Sequence, residues 1–173
     1  MSMIPNAAEV EPRARRLRAL ILDVDGVLTD GRLTYLPDGG ESKTFHVRDG
    51  LGIQLVLAAR IRVAIISGRA SEVVERRGRE LGIDPILQGI DDKVAAFEKL
   101  LRDFDTPEAD VGYIGDDLPD LPILRRCGLS FAVADAAPEV RAASHVVLRT
   151  GGGRGAVREA CELILKSRGA WRV

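Results

Sequence analysis

The residues of this sequence most able to do chemistry together are Asp23, Asp25, Ser67, Lys93, Asp116 and Asp117. Four carboxylates gathered in one pocket repel one another unless a cation is present. A donor set of hard oxygens, without His or Cys, favours Mg²⁺, which takes a few carboxylates and completes its shell with water and substrate phosphate. Lys93 adds a fixed positive charge and Ser67 a hydroxyl donor. A carboxylate, a divalent ion, a lysine and a hydroxyl suit phosphoryl transfer, where catalysis is mostly positioning and neutralising charge. An aspartate can itself attack phosphorus and carry the group as an acyl phosphate. Asp25, two residues from Asp23 on a turn entering Gly26, can protonate a leaving oxygen and later activate water. Each residue alone has a plainer reading. An Asp after a strand is commonly a turn or cap residue, and Asp117 and Asp120 could cap the helix that follows them. Ser67 alone reads as a helix cap and Lys93 alone as a surface lysine. Gly115 strengthens Asp116 as a ligand, because it lets another group approach closely. It is the set and its order that point to phosphoryl transfer.

Those residues need elements that bring them together. The apolar run 19–22 reads as a buried strand ending in Asp23-Val24-Asp25-Gly26. Strand 62–66 ends in Ser67-Gly68-Arg69, and strand 111–114 ends in Gly115-Asp116-Asp117. Lys93 opens a helix after the short strand 85–87, with Asp91 or Asp92 as its N-cap. Further helices are expected over 51–59, 71–81 (ended by Gly82), 121–126, 139–142 and 156–167, and further strands over 129–133 and 145–148. This alternation predicts an α/β fold, a Rossmann-like parallel sheet with helices on both faces. Such sheets do their chemistry at the carboxyl ends of the strands, where all these residues fall. Residues 31–47 break the pattern: two β-rich runs, 32–35 and 43–47, flank Leu36-Pro37-Asp38-Gly39-Gly40 and read as an inserted hairpin. Alone, such a hairpin is marginal in water.

Composition excludes several classes. With 25 Lys plus Arg against 26 Asp plus Glu, the net charge is −1, which argues against a nucleic-acid binder or a basic membrane-surface protein. No apolar run approaches the roughly 18 residues of a membrane span. The first 17 residues read as a lead-in without a signal-peptide core, and the cluster Arg13, Arg15, Arg16 and Arg18 reads as a solvated approach to the first strand. Two cysteines far apart, Cys127 and Cys161, suggest a reducing compartment, the cytoplasm. A length of 173 residues suits one domain.

With these residues in place, the chain resembles the haloacid dehalogenase superfamily. Its four motifs stand as Asp23-Val24-Asp25-Gly26-Val27-Leu28-Thr29-Asp30, Ser67, Lys93, and Gly115-Asp116-Asp117-Leu118-Pro119-Asp120. The resemblance implies Asp23 as nucleophile and Mg²⁺ ligand, and Asp25 as general acid–base and a metal ligand through its backbone carbonyl. It implies that Asp116 completes the metal site, that Asp117 and Asp120 support it, and that Ser67 and Lys93 hold the phosphoryl group. The Asp at position 25 marks phosphatases rather than dehalogenases. Ser67 stands where many relatives carry Thr, and both donate a hydroxyl. The intervals between motifs leave no room for a cap domain, so the resemblance is to the capless type, whose relatives close the site with neighbouring subunits. A homotetramer joined through the 31–47 hairpins is therefore implied.

Matches at Val47-Arg48-Asp49-Gly50, Ser67-Gly68-Arg69 and Gly151-Gly152-Gly153-Arg154-Gly155 extend the resemblance to phosphatases of small phosphorylated sugar acids. The Arg48-Asp49-Gly50 stretch favours an eight-carbon over a nine-carbon sugar. A substrate carboxylate would call for an arginine near Ser67, Gly68 and Lys93, with Arg69, Arg48 and Arg77 the candidates. The glycines at 151–153 read as a flexible entry into the last helix or as a loop reaching a neighbouring site. The competing class is a phosphoaspartate receiver domain, which shares the acidic cluster, hydroxyl and Lys but has no acid–base group two residues after its phosphorylated Asp.

Overall fold

The computed structural model describes residues 7–172. Six strands form one parallel sheet: β1 (Ala19–Leu22), β4 (Arg62–Ile66), β5 (Ile86–Leu87), β6 (Val111–Gly115), β7 (Leu129–Ala132) and β8 (Val146–Val147). Their order is β5-β4-β1-β6-β7-β8. β1 is buried at all four residues, as a central parallel strand covered on both faces must be. It pairs Leu22 with Ile65 of β4 on one side and with Ile114 of β6 on the other. The chain moves outward from β1 through β4 to β5, then crosses back to β6. The order therefore reverses between β1 and β6, and the crevice at such a reversal is where α/β sheets bind ligands. Asp23 and Asp116 follow the two strands that flank it.

The helices are α1 (Ala7–Arg16), α2 (Val47–Ala58), α3 (Glu72–Leu81), α4 (Lys93–Phe104), α5 (Leu121–Leu124), α6 (Pro138–Ala143) and α7 (Ala156–Ser167). Asp92 caps α4, its carboxylate accepting from the Ala95 amide at 3.0 Å. Gly82 ends α3 at φ +81°. The sheet core is continuous, with Leu20, Ile21, Ile65, Ile66, Tyr113 and Phe131 almost wholly buried. No helix among the described residues is long and apolar enough to cross a membrane. Cys127 and Cys161 are both free and buried.

Three sequence expectations change. First, residues 7–16 of the expected lead-in form a helix docked on the domain, with Val10, Ala14 and Leu17 in the core; residues 1–6 lie outside the described residues. Three of its arginines are not merely solvated. Arg13, Arg15 and Arg16 donate to the carbonyls of Gly128, Ser167 and Ala109 at 2.8, 2.8 and 2.9 Å. Second, the hairpin strands are shorter and the second is displaced: β2 (Thr34–Tyr35) pairs antiparallel with β3 (Glu41–Ser42), which lies before the expected run 43–47 and leaves that run without a strand. Third, Val47 opens α2 instead of ending a strand. His46 is the reason: its Nδ1 accepts from the Arg48 amide at 3.2 Å and so caps the helix. Asp49 adds a negative charge at the positive end of that helix.

Candidate active site

Asp23 leaves β1 with its amide donating to the Ile114 carbonyl at 3.1 Å, which locks it against β6. Lys93, the first residue of α4, reaches across with Nζ 3.1 Å from Asp23 Oδ1 and 2.8 Å from Asp120 Oδ1. Ser67 is buried beyond β4, its amide donating to Leu87 and its carbonyl accepting from Ile90. Asp116 follows β6. Carboxylate oxygens of Asp23, Asp116 and Asp120 lie within 4.8 Å of one another. The turn at Gly26 makes room for this. Its φ is +90°, and a Cβ there would fall 2.5 Å from Asp116 Cγ. Only glycine meets both demands.

The site is strained electrostatically. Burial, with the charge of Asp120, lifts Asp23 to about 6, and Lys93 only partly opposes the rise. Burial, together with Asp23 and Asp120, lifts Asp116 to about 8. Burial works against the charge on Lys93, but Asp23 and Asp120 outweigh it and raise that group above its ordinary value. Two carboxylates pushed toward protonation beside a held ammonium are what a site looks like when it is short of positive charge.

The residues present fit a divalent cation, and they differ in how. Asp120 has no lone pair to offer. Its Oδ1 accepts from Lys93 and from Tyr113 Oη (2.7 Å), and its Oδ2 from the amides of Asp116 (3.0 Å) and Asp117 (3.4 Å). Four bonds fill a carboxylate. Asp116 Oδ1 is the opposite case, a buried oxygen with no hydrogen-bond partner. A buried carboxylate oxygen is costly to leave bare, and a hard cation would satisfy it. Asp116 and Asp23 thus have the character of ligands and Asp120 that of a bracket fixing Lys93 and the Asp116 backbone.

Asp25 stands apart from this cluster. Its Oδ1 lies 2.5 Å from Nζ of Lys43, and its Oδ2 3.7 Å from Nε of Arg69. Arg69 also donates to Glu41 Oε2 at 3.0 Å. The hairpin therefore closes over the strand ends through a Lys43–Asp25 and Arg69–Glu41 network.

Residues 85–157 match the family model for haloacid dehalogenase-like hydrolases. The chain is 47% identical over 165 residues to the 3-deoxy-D-manno-octulosonate 8-phosphate phosphatase of Escherichia coli, covering 95% of this chain and 88% of that protein. The chain belongs to the haloacid dehalogenase-like hydrolases. Solved structures agree. The Yersinia pestis phosphatase of the same description superposes with a TM-score of 0.92 at 46% identity, over 94% of this chain and 88% of that one. The Moraxella catarrhalis phosphatase, solved with magnesium, phosphate and the sugar acid KDO, gives 0.91 at 43%, over 93% and 92%. This hydrolase is a phosphomonoesterase in its relatives' mould, which sets aside the receiver-domain alternative.

Within the hydrolase, the remaining expected residues scatter. Asp117 is exposed and caps the 3₁₀ turn Leu118–Asp120, accepting from the Leu118 amide at 2.8 Å, which is its plainer reading. Gly68 follows Ser67 without steric demand, since an added Cβ would meet only Ile90 O at 3.7 Å. Arg69 stands at the mouth. Arg77 does not join Ser67 and Lys93: it lies against Gly50 of α2 and pairs with Glu80 at 3.4 Å. Arg48 lines a separate surface cleft with Arg149, Arg154 and Arg158. Residues 151–153 are neither a flexible entry nor a free loop. The Gly153 amide donates to Val27 O and the Gly152 amide to Asp135 Oδ1, both at 2.9 Å, and a Cβ on Gly152 would fall 2.5 Å from the Gly26 carbonyl carbon. This glycine tract buttresses the turn that carries Asp25. Sequence reasoning missed Lys43, Glu41, Tyr113 and Asp135. Tyr113 read as strand core, and no spacing ties Lys43 to a site eighteen residues away.

Proposed function

We propose that this chain hydrolyses 3-deoxy-D-manno-octulosonate 8-phosphate to KDO and inorganic phosphate, a step of lipopolysaccharide biosynthesis, with Mg²⁺ as cofactor. The observation that carries the reading is the buried Asp23 held at the sheet's reversal between the Lys93 ammonium and the unpartnered Oδ1 of Asp116. Asp23 and Asp116, with the Asp25 backbone carbonyl, would hold the ion. When bound, Mg²⁺ supplies positive charge that neutralises the carboxylates and the phosphoryl oxygens.

The chain's own residues do the rest. An Asp23 oxygen bonds to phosphorus as the bond from phosphorus to the sugar oxygen breaks, and Asp25 gives its proton to that leaving oxygen. Water then adds to phosphorus, its proton passes to Asp25, and the bond to Asp23 breaks to release phosphate. Lys93 and the Ser67 hydroxyl hold the phosphoryl oxygens. Asp120 and Tyr113 hold Lys93 in place. Arg69, the one candidate arginine beside Asp25, is the carboxylate-binding residue of this reading.

The domain acts as a homotetramer in this reading, with the hairpins of neighbouring subunits covering one another. Leu33 and Tyr35 of the hairpin are 45% and 68% exposed, and the two-stranded ribbon has no partner in its own sheet. Its unpaired cysteines suit a reducing compartment, and we assign the cytoplasm. The test is phosphate release from 3-deoxy-D-manno-octulosonate 8-phosphate with Mg²⁺ and with EDTA. Turnover should require Mg²⁺ and vanish in Asp23→Asn. A near-normal rate in that variant would refute the nucleophile.

A further inference from the structure

The groups around Asp25 belong to a different element from Asp25 itself. Lys43 follows β3 of the hairpin, and its side chain is only 2% exposed. A lysine buried to that degree must have its charge paired. Its Nζ finds Asp25 Oδ1 at 2.5 Å and Glu41 Oε1 at 3.7 Å. The other Asp25 oxygen, Oδ2, faces Arg69 at 3.7 Å, and Arg69 is 42% exposed at the mouth. The two oxygens of Asp25 are therefore unequal: one is tied to a buried ammonium, the other faces an arginine that solvent and substrate can reach.

We propose that Lys43 is the positioning residue of the acid–base group. By holding Oδ1 it fixes the rotamer of Asp25 and leaves Oδ2 as the oxygen that moves the proton. Proton delivery then depends on the hairpin being docked. The inference rests on the proposed function. In the first half-reaction an Asp23 oxygen bonds to phosphorus, the bond from phosphorus to the sugar oxygen breaks, and the proton on Oδ2 goes to that oxygen. In the second, water adds to phosphorus, its proton returns to Oδ2, and the bond to Asp23 breaks. Lys43 touches no reacting atom; it acts through Asp25.

A leaving-group comparison on the full chain with Mg²⁺ tests this. A sugar alkoxide needs the proton as it leaves, whereas p-nitrophenolate leaves without one. In Lys43→Met, kcat/KM should fall by about 10²-fold for 3-deoxy-D-manno-octulosonate 8-phosphate and by less than about threefold for p-nitrophenyl phosphate, the scale of a lost general acid. Lys43→Gln, which keeps an N–H donor, should recover about tenfold of the loss on the sugar ester. Equal falls on both esters, with a lowered melting temperature, would assign Lys43 to stability alone and overturn the inference, as would an unchanged kcat/KM for the sugar ester. Wild-type protein that releases phosphate from neither ester would overturn the proposed function itself, and a wild type active on both with equal losses in the variants would overturn only the role of Lys43.

Discussion

Gly26→Ala tests the geometry that joins the first and fourth motifs. A Cβ at position 26 would stand 1.9 Å from Asp116 Oδ2 and 2.5 Å from its Cγ, where ordinary contact begins at 3.4 Å. The Asp116 carboxylate must therefore retreat by about 1.5 Å, or the turn carrying Asp25 must lift by as much; misplacing a catalytic group by about 1 Å can already cost about 10²-fold. Retreat of Asp116 takes one ligand from the cation, so the Mg²⁺ concentration for half-maximal activity should rise as kcat falls. The φ of +90° adds a backbone cost of about 1–2 kcal/mol for any side chain, a fall of about 2–8 °C in Tm for a chain of this size. The assay is phosphate release across a Mg²⁺ titration, with a thermal melt of the same samples with and without the ion. The variant should remain folded, lose about two orders of magnitude in rate, and lose most of the Mg²⁺-induced rise in Tm that the wild type shows. A variant with wild-type rate and Mg²⁺ dependence would show that Asp116 is not held against Gly26, and the reasoning would fail.

Other outcomes follow from the same network. Tyr113→Phe removes the 2.7 Å bond to buried Asp120 and should destabilise the fold by about 1.5–3 kcal/mol, the range for a lost bond to a charged acceptor; a melt indistinguishable from wild type would contradict it. In the metal-free protein, Asp23 at about 6 and Asp116 at about 8 hold protons that the unfolded chain, near 3.8, has released. Their contribution is present below 3.8 and is lost as pH rises through about 6 and then about 8, so stability in EDTA should fall across that window and Asp116→Asn should flatten the fall; denaturant melts showing no slope would refute the sign. Tyr35→Asp on the exposed ribbon should lower the mass found by light scattering and cut activity together, whereas a fully active wild-type monomer would end the tetramer reading.

What is legible in the sequence and what is not divide by the range of the forces involved. Strands β1, β4 and β6 were legible because short, largely apolar runs alternating with helical segments read as buried parallel strands, and each is followed at once by the residues that matter. The caps at Asp92 and Gly82 were legible for a similar local reason. α2 was misplaced at its start because His46 is an unusual cap and the β-branched Val47 resembles a strand. α1 was passed over because its worth lies in distant carbonyls at Gly128, Ser167 and Ala109.

For the site, local pattern is enough to tell which residue types gather at the strand ends and that they call for a hard cation, because a parallel sheet aligns the ends of its strands whatever the side chains do. Their division of labour emerges only when the elements pack against one another. Asp120 is saturated by four donors from three elements, Asp116 keeps a bare oxygen, Arg77 turns to Glu80, and the glycines at 151–153 press on the turn at Gly26. Lys43 reaches Asp25 from a hairpin whose placement depends on burial and charge pairing across the fold. Local pattern specifies elements and their order; which lone pairs are filled depends on distances between elements remote in sequence, and these are set only when the whole chain packs.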